Sequence, residues 1–493
     1  MMILFESSLN MIKYSVYIVP LILMIILSIS IENASKKMNI ILKSMKITII
    51  VIGILIMIEE STYVKLNGHL IKTEIIELFE IILLGVTYVI ITIFEKGVKE
   101  GTKTKITEEG IILMYSSIIG MLISMEAHNL ITLFLSLEIS SICFYILALN
   151  KNSRKVSIEG GLKYYIVGGI ASTIILLGIV CIYKSTGSLM YTDIFITLME
   201  NGKVDNIAQM GLSLLVLGLI IKLGIAPFHG WLIDTYEGTG MLMTYFLTIT
   251  QKIVTIIILI NLYLMIIAYV TIQGLNQVLL IGIIVTLLVG TIGSLRQQKL
   301  IRFIAYSAIV NSALLIMFFV GNNTEELVSY SIYYLVNYII GLTVLISIIM
   351  GLNKNREGNI ELLGELKNIW LNNRVVGVCF IVVLLYLAGL PPFTNFISKI
   401  ILILPYIIEG RLYITMIILF LTVGIMIYYV NIVKILLIDK KQQEERGGVQ
   451  KLETYQMKSG GTIIIGGMLW IVFSQVYLDE IINIIKIIVA ISN

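Results

Sequence analysis

Apolar residues in this chain come in long unbroken runs parted by short polar stretches. Neither the alternation of a half-buried strand nor the one-sided stripe of a soluble helix dominates. A helix needs about 20 mostly apolar residues to cross roughly 30 Å of hydrocarbon. Runs of this kind lie near 14–31, 45–58, 74–94, 110–125, 128–149, 160–183 and 207–227, and again near 241–270, 275–295, 299–320, 327–350, 375–404, 412–437 and 462–492. The pattern predicts an all-α, polytopic membrane protein of about 14 transmembrane helices. The second run, from Lys46 to Ile58, is short. Helices are the spanning form expected, because lipid offers no partner to free backbone groups. Continuous apolar runs exclude the alternation of a barrel.

Loop charge bears on the count independently, since Lys and Arg gather on the cytoplasmic or matrix side. The loops after odd-numbered spans hold 24 basic residues, among them Lys36, Lys37, Lys43, Lys46, Lys103, Arg154, Lys299, Arg302 and Lys441. The even loops hold five: Lys65, Lys72, Lys184, Lys203 and Arg411. The loop after span seven has no base and carries Asp234 and Glu237. A missed or invented span would invert the asymmetry downstream. Fourteen spans with both termini on the outer side follow.

Composition agrees. The 493 residues are 58% hydrophobic and 13% charged, with a mean hydropathy of +0.98. That excludes a soluble globular protein, a disordered chain and a coiled coil. Cys143, Cys181 and Cys379 are too scattered for a disulfide framework, a zinc site or an iron–sulfur cluster, and read as buried thiols. The net charge of +4 is no nucleic-acid signature. Abundant Ile, Lys, Asn and Tyr reflect an AT-rich gene. No small-residue cleavage site follows the first apolar run, which reads as a retained span.

Six bases fall outside the loops. Lys13 and Lys486 lie near the ends of the terminal spans, where snorkelling explains them. Lys163, Lys222, Lys252 and Lys399 remain, with Glu138 the clearest acid inside a span. A charge in a span costs about 2.5–3.5 kcal/mol on insertion scales. One Glu cannot neutralise three interior Lys, and an unmatched lysine must shed its proton easily or sit in water. That is what a proton relay requires. A static ion pair between Glu138 and one lysine is the plainer alternative. Lys163 stands near the start of its span and could reach the surface, and Glu77 and Glu80 read as interfacial. His69, His128 and His229 are isolated and make no metal site. His229 follows Pro227-Phe228, and a shuttle role at the rim is open to it.

Proline supplies the last signal. Pro227 ends span seven, and Pro391 and Pro392 interrupt span twelve, whose run is too long for one straight crossing. Broken helices at membrane depth line hydrated cavities in transporters. Water or a neighbouring polar side chain is expected to take the carbonyls freed near Leu387 and Ala388, with Phe393 and Phe396 walling the path. Two Lys-and-Pro spans five apart predict two inverted five-helix repeats, helices 4–8 and 9–13, with helices 7 and 12 broken. The organisation expected is three N-terminal helices (1–107), a first repeat (108–272), a second repeat (273–438), and a basic loop with helix 14 (439–493).

Several segments resemble subunit 2 of respiratory complex I, the proton-pumping NADH:quinone oxidoreductase. They are Leu133-Phe-Leu-Ser-Leu-Glu138-Ile-Ser-Ser, Gly161-Leu-Lys163-Tyr-Tyr165, Lys222 through Pro227-Phe-His229-Gly-Trp231, Asp234-Thr-Tyr236-Glu237-Gly238, Arg302-Phe-Ile-Ala-Tyr306-Ser307, and Pro391-Pro-Phe-Thr-Asn-Phe-Ile-Ser-Lys399. The Asp234–Gly238 string is the most specific. The resemblance runs from about residue 108 to 405 and implies the antiporter-like fold. It departs from the family pattern at Ile233, at Thr239-Gly240-Met241-Leu242 and at Thr250-Gln251, where the family carries proline-containing sequences.

By that resemblance Glu138 and Lys222 match a coupled acid–base pair, Lys252 a central lysine and Lys399 a terminal proton carrier, with Lys163 secondary. It implies a non-redox subunit of a proton-translocating NADH:ubiquinone reductase, with no cofactor in this chain. Separation of Glu138 from Lys222 would send a proton towards Lys252 and on to Lys399. Partners would be the other membrane-arm subunits, including neighbouring antiporter-like subunits and the small subunit 4L, and lipids. A subunit of a multi-subunit Na⁺/H⁺ antiporter and a non-pumping structural subunit are the alternatives. The expected location is the mitochondrial inner membrane, with a bacterial plasma membrane as the alternative.

Overall fold

The computed structural model describes residues 2–31, 34–58, 64–65, 68–99, 107–149, 155–200, 205–269, 274–321, 324–352, 362–366, 374–438 and 460–492. The loop bases Lys103, Arg154 and Lys441 lie outside these residues.

In chain order the helices are α1 (Met2–Ser30), α2 (Ala34–Ile58), α3 (Glu74–Lys99), α4 (Glu108–Glu126), α5 (Leu130–Leu149), α6 (Lys155–Thr186) and α7 (Tyr191–Glu200). They continue as α8 (Asn206–Leu223), α9 (Gly230–Thr239), α10 (Met241–Met265), α11 (Leu275–Leu295), α12 (Leu300–Leu315) and α13 (Thr324–Leu352). The last are α14 (Arg374–Ala388), α15 (Thr394–Ile408), α16 (Leu412–Ile438), α17 (Gly460–Phe473) and α18 (Leu478–Ser492). A two-residue antiparallel ladder, Val64–Lys65 with Leu70–Ile71, joins α2 to α3.

Among the described residues, eleven helices are long and apolar enough to cross a membrane, or twelve if the bent pair α17–α18 counts as one span. The two remaining expected spans correspond to α1, with its apolar stretch Ser15–Ser30, and to the pair of shorter helices α14–α15. Helices α10, α12 and α13 are the most enclosed and form the centre, while α2, α6 and α11 lie at the periphery. Their exposed Ile, Leu and Val side chains suit a lipid surround.

Some expectations need correction. The short second run is a full helix of 25 residues, because α2 takes in Lys36, Lys37, Lys43 and Lys46. Lys46, assigned to a loop, pairs with Glu95 of α3 and lies over the Tyr88 ring. Lys72 lies in the loop before α3, as expected, and is wholly buried there. Its amine donates to the Ile56 carbonyl at 2.5 Å and stands 3.4 Å from Glu77. A lysine satisfying the last carbonyls of a helix fits the negative end of its dipole. Glu80 is buried within the protein. Span fourteen is two helices bent by 97°. Ser474, Gln475, Asp479 and Glu480 interrupt its run, and acids are costly at bilayer depth.

Both interrupted spans are built alike. Helix α8 ends at Gly224, whose φ is +73°. The Gly224 N–H donates to Ile221 O and the Ile225 N–H to Ile220 O. Helix α14 ends at Gly389, with φ +76°. There the Gly389 N–H donates to Tyr386 O and the Leu390 N–H to Leu385 O. This crossed pair of bonds closes a helix on a left-handed residue, a conformation glycine adopts without a Cβ clash. Each glycine is followed three residues later by a proline after a cis peptide bond, Pro227 and Pro392, and then by Phe. The shared Gly-X-X-Pro-Phe spacing sets the two repeats in register, with the broken helix fourth of five in each.

Candidate proton-relay site

Glycine contacts position the first lysine. A Cβ on Gly178 of α6 would lie 2.8 Å from the Gly211 carbonyl of α8. The two backbones therefore pack at close range, as small residues permit between membrane helices. Lys222 then falls in the last turn of α8, with its side chain buried.

The Lys222 Nζ stands 3.7 Å from Glu138 Oε1 on α5. It also donates a 2.9 Å hydrogen bond to Ser141 Oγ. The Lys222 carbonyl, freed where α8 stops, accepts from Gln251 Nε2 at 3.2 Å. Gln251 Oε1 in turn accepts from the Tyr164 hydroxyl at 3.3 Å. Trp231 lies flat on Tyr164, centroids 4.8 Å apart and planes within 3°. These groups surround a cavity of about 10 Å³ beside Lys222, the scale of a single water.

Lys252 is the residue after Gln251 on α10, buried at the centre. Its amine donates to the Ala308 carbonyl of α12 and to the Tyr338 hydroxyl at 3.4 Å. It also lies 4.8 Å above the Tyr338 ring, a favourable seat for a cation.

Lys399 on α15 reaches back across the break in span twelve. It donates to Ala388 O at 3.0 Å and to Leu387 O at 3.4 Å. Asn395 donates to Tyr386 O at 2.9 Å and Leu387 O at 3.3 Å. The carbonyls freed by the break thus find polar side chains, Asn395 and Lys399 themselves. Phe393 sets its ring edge-on to Tyr386. Between Lys252 and Lys399, Tyr386 donates to Asn337 O and Oδ1, both at 3.1 Å. Asn337 neighbours Tyr338 on α13, and its Oδ1 also accepts from Trp470. Among the described residues, neither Lys252 nor Lys399 is paired with a carboxylate.

The structure therefore brings Glu138 and Lys222 together and lays polar side chains between Lys252 and Lys399. Lys163 sits elsewhere. It is 43% exposed and pairs with Glu159 and Asp234, each at 2.6 Å. Glu237, on α9 outside the spans, accepts from Lys299 and Arg302. Partial burial would raise its carboxyl, but these bonds outweigh that and hold it below the usual carboxylate range. His128 packs its ring 5.2 Å from Tyr191. No cluster of metal-binding groups occurs among the described residues.

Ser141, Gln251, Tyr338, Asn337 and Asn395 were not singled out from sequence. Ser141 could have been, standing three residues after Glu138 on the same helix face. The others are known only through tertiary contacts.

The family described as NADH:quinone oxidoreductase/Mrp antiporter matches residues 127–426. The NADH-ubiquinone oxidoreductase chain 2 of Dictyostelium discoideum is 73% identical over 496 residues, covering all of both chains. The chain belongs to the NADH-ubiquinone oxidoreductase chain 2 family. The Dictyostelium citrinum chain 2 is 66% identical, covering 99% of this chain and all of that one. The fold matches a chain in respiratory complex I from Thermus thermophilus with a TM-score of 0.74 and 18% identity, over 96% of this chain and 98% of that chain. As a chain 2 of eukaryotic type this is a multi-pass protein of the mitochondrial inner membrane and a subunit of NADH-ubiquinone oxidoreductase. The separate Na⁺/H⁺ antiporter and the bacterial plasma membrane drop out as alternatives.

Proposed function

We propose that this chain moves protons through Glu138, Lys222, Lys252 and Lys399, driven by quinone reduction in partner subunits, and performs no redox chemistry itself. Its partners are the other membrane-arm subunits of the complex, among them neighbouring antiporter-like subunits and the small subunit 4L, and lipid.

The observation that carries this reading is the contrast between the lysines. Lys222 has an acid partner at 3.7 Å, whereas Lys252 and Lys399 rest on carbonyl and hydroxyl oxygens. A buried charge without a counter-ion is costly, and of the three lysines Lys222 alone has a carboxylate beside it among the described residues. Drawing Glu138 away from Lys222 removes that difference and frees the proton to move on. Gln251 links the backbone of Lys222 to the residue before Lys252. Tyr338, Asn337 and Tyr386 supply hydroxyl and amide groups towards Lys399. Lys163 takes no direct part.

The test is Lys222→Ala in the assembled enzyme. Quinone reduction and proton pumping should both fall while enzyme content holds. Lys222→Arg should not restore them, because a guanidinium keeps its proton. Full pumping in Lys222→Ala would favour a non-pumping structural role.

A further inference from the structure

The most family-specific string, Asp234 to Gly238, reaches none of the buried lysines. Its two carboxylates instead lie within a row of alternating charge that crosses three helices. Lys163 of α6 donates to Glu159 Oε1 and to Asp234 Oδ2 of α9, each at 2.6 Å. Asp234 Oδ1 is 3.9 Å from the Arg302 guanidinium of α12. Arg302 Nε donates to Glu237 Oε2, and Lys299 donates to Glu237 Oε1 at 2.5 Å. Three acids and three bases alternate along the row.

Helix α9 is seated on α6. Thr235 Oγ1 donates to Gly160 O at 3.1 Å, and Ser157 Oγ to Gly238 O at 2.7 Å. A Cβ on Gly160 would lie 2.5 Å from the Asp234 carbonyl. Helix α9 also supplies Trp231, which walls the Lys222 cavity. Helix α12 supplies the Ala308 carbonyl that holds Lys252, six residues or about 9 Å beyond Arg302. Arg302 belongs to the second repeat and grips a helix of the first. Exposed ion pairs contribute little stability one by one. Here the guanidinium hydrogen-bonds Glu237 and stands at ion-pair distance from Asp234, so its planar fork faces both carboxylates at once.

We propose that Arg302 is a positioning residue: by holding Asp234 and Glu237 together it latches α9 to α12 and keeps the Lys222 cavity and the Lys252 site in one register. The proposal rests on the relay reading above. The test uses sealed membranes carrying the assembled enzyme and counts protons moved per electron passed to quinone. Arg302→Gln should lower that ratio several-fold at unchanged enzyme content. Arg302→Lys keeps the charge and supports assembly, but one amine cannot span both carboxylates, so the ratio should again fall. A native ratio in Arg302→Lys overturns the latch. So does an Arg302→Gln enzyme that is merely less abundant, with its ratio unchanged. Lys222→Ala, measured alongside, separates the two ideas. If it lowers the ratio and the Arg302 variants do not, the latch alone fails. If it leaves the ratio native, the relay fails and the latch with it.

Discussion

Lys222 Nζ lies 3.7 Å from Glu138 Oε1, and the same amine donates to Ser141 Oγ, one turn along α5 from that acid. The lysine therefore has a charged partner and a neutral one on a single helix face. When Glu138 withdraws, Ser141 can still hold the amine in place. Glu138→Gln should then resemble Lys222→Ala in proton pumping, since the amide keeps the shape and loses the charge. Ser141→Ala should leave the pair intact and produce a smaller loss. Pumping assays on both variants check the order, and a larger defect in Ser141→Ala contradicts it.

Gly389 offers a way to disturb Lys399 without touching a titratable group. A Cβ there would come within 2.7 Å of Lys399 Nζ, and the residue's φ is +76°. An L-residue in that conformation is strained by roughly 1–2 kcal/mol. Gly389→Ala should assemble and lose turnover several-fold as the amine is displaced from the Ala388 carbonyl. Native turnover in this variant would mean that the position of Lys399 is immaterial.

Asn395 caps the broken end of α14. Asn395→Leu removes one of two donors at Tyr386 O, which keeps the Gly389 N–H, and at Leu387 O, which keeps Lys399 Nζ, a loss of about 0.5–1.5 kcal/mol per hydrogen bond. The expected result is a lower thermal midpoint of the purified complex. Asn395→Gln should recover part of it.

The Lys46–Glu95 pair gives a prediction about stability. Both side chains are mostly enclosed, at 17% and 12% exposure. Removing Glu95 takes the carboxylate from a mostly enclosed Lys46, which for buried pairs costs about 3–5 kcal/mol, whereas replacing both by apolar residues is often neutral. Glu95→Leu alone should reduce assembled enzyme in native gels. Lys46→Met with Glu95→Leu should restore it. A double variant as poor as the single one would show that the pair does more than satisfy itself.

The spans were legible because most of their apolar runs approach or exceed the length that lipid requires. Lys222, Lys252 and Lys399 were legible because a lysine in such a run has few harmless explanations. The breaks were legible in Gly224–Pro227 and Gly389–Pro392. Lys46 was misread as a loop residue, and the burial of Lys72 within its loop was not foreseen, because distance from an apolar run does not report what folds over a side chain. Both lie beside polar stretches, yet α3 covers one and the end of α2 takes the other's proton donors. The bend between α17 and α18 was passed over because its apolar flanks outweighed four polar residues. Carbonyl partners such as Gln251, Asn395 and the Ala308 backbone belong to other helices or to the far side of a break, and local pattern carries no trace of them.

Lys252 tests the central claim most directly, since its buried amine meets the Ala308 carbonyl and the hydroxyl and ring of Tyr338 and, among the described residues, no carboxylate. The measurement is the number of protons moved per electron by the assembled enzyme carrying Lys252→Ala, in sealed membranes with enzyme content matched. A relay through this residue predicts a clear fall in that number or in the rate of coupled quinone reduction. Native values for both would contradict it.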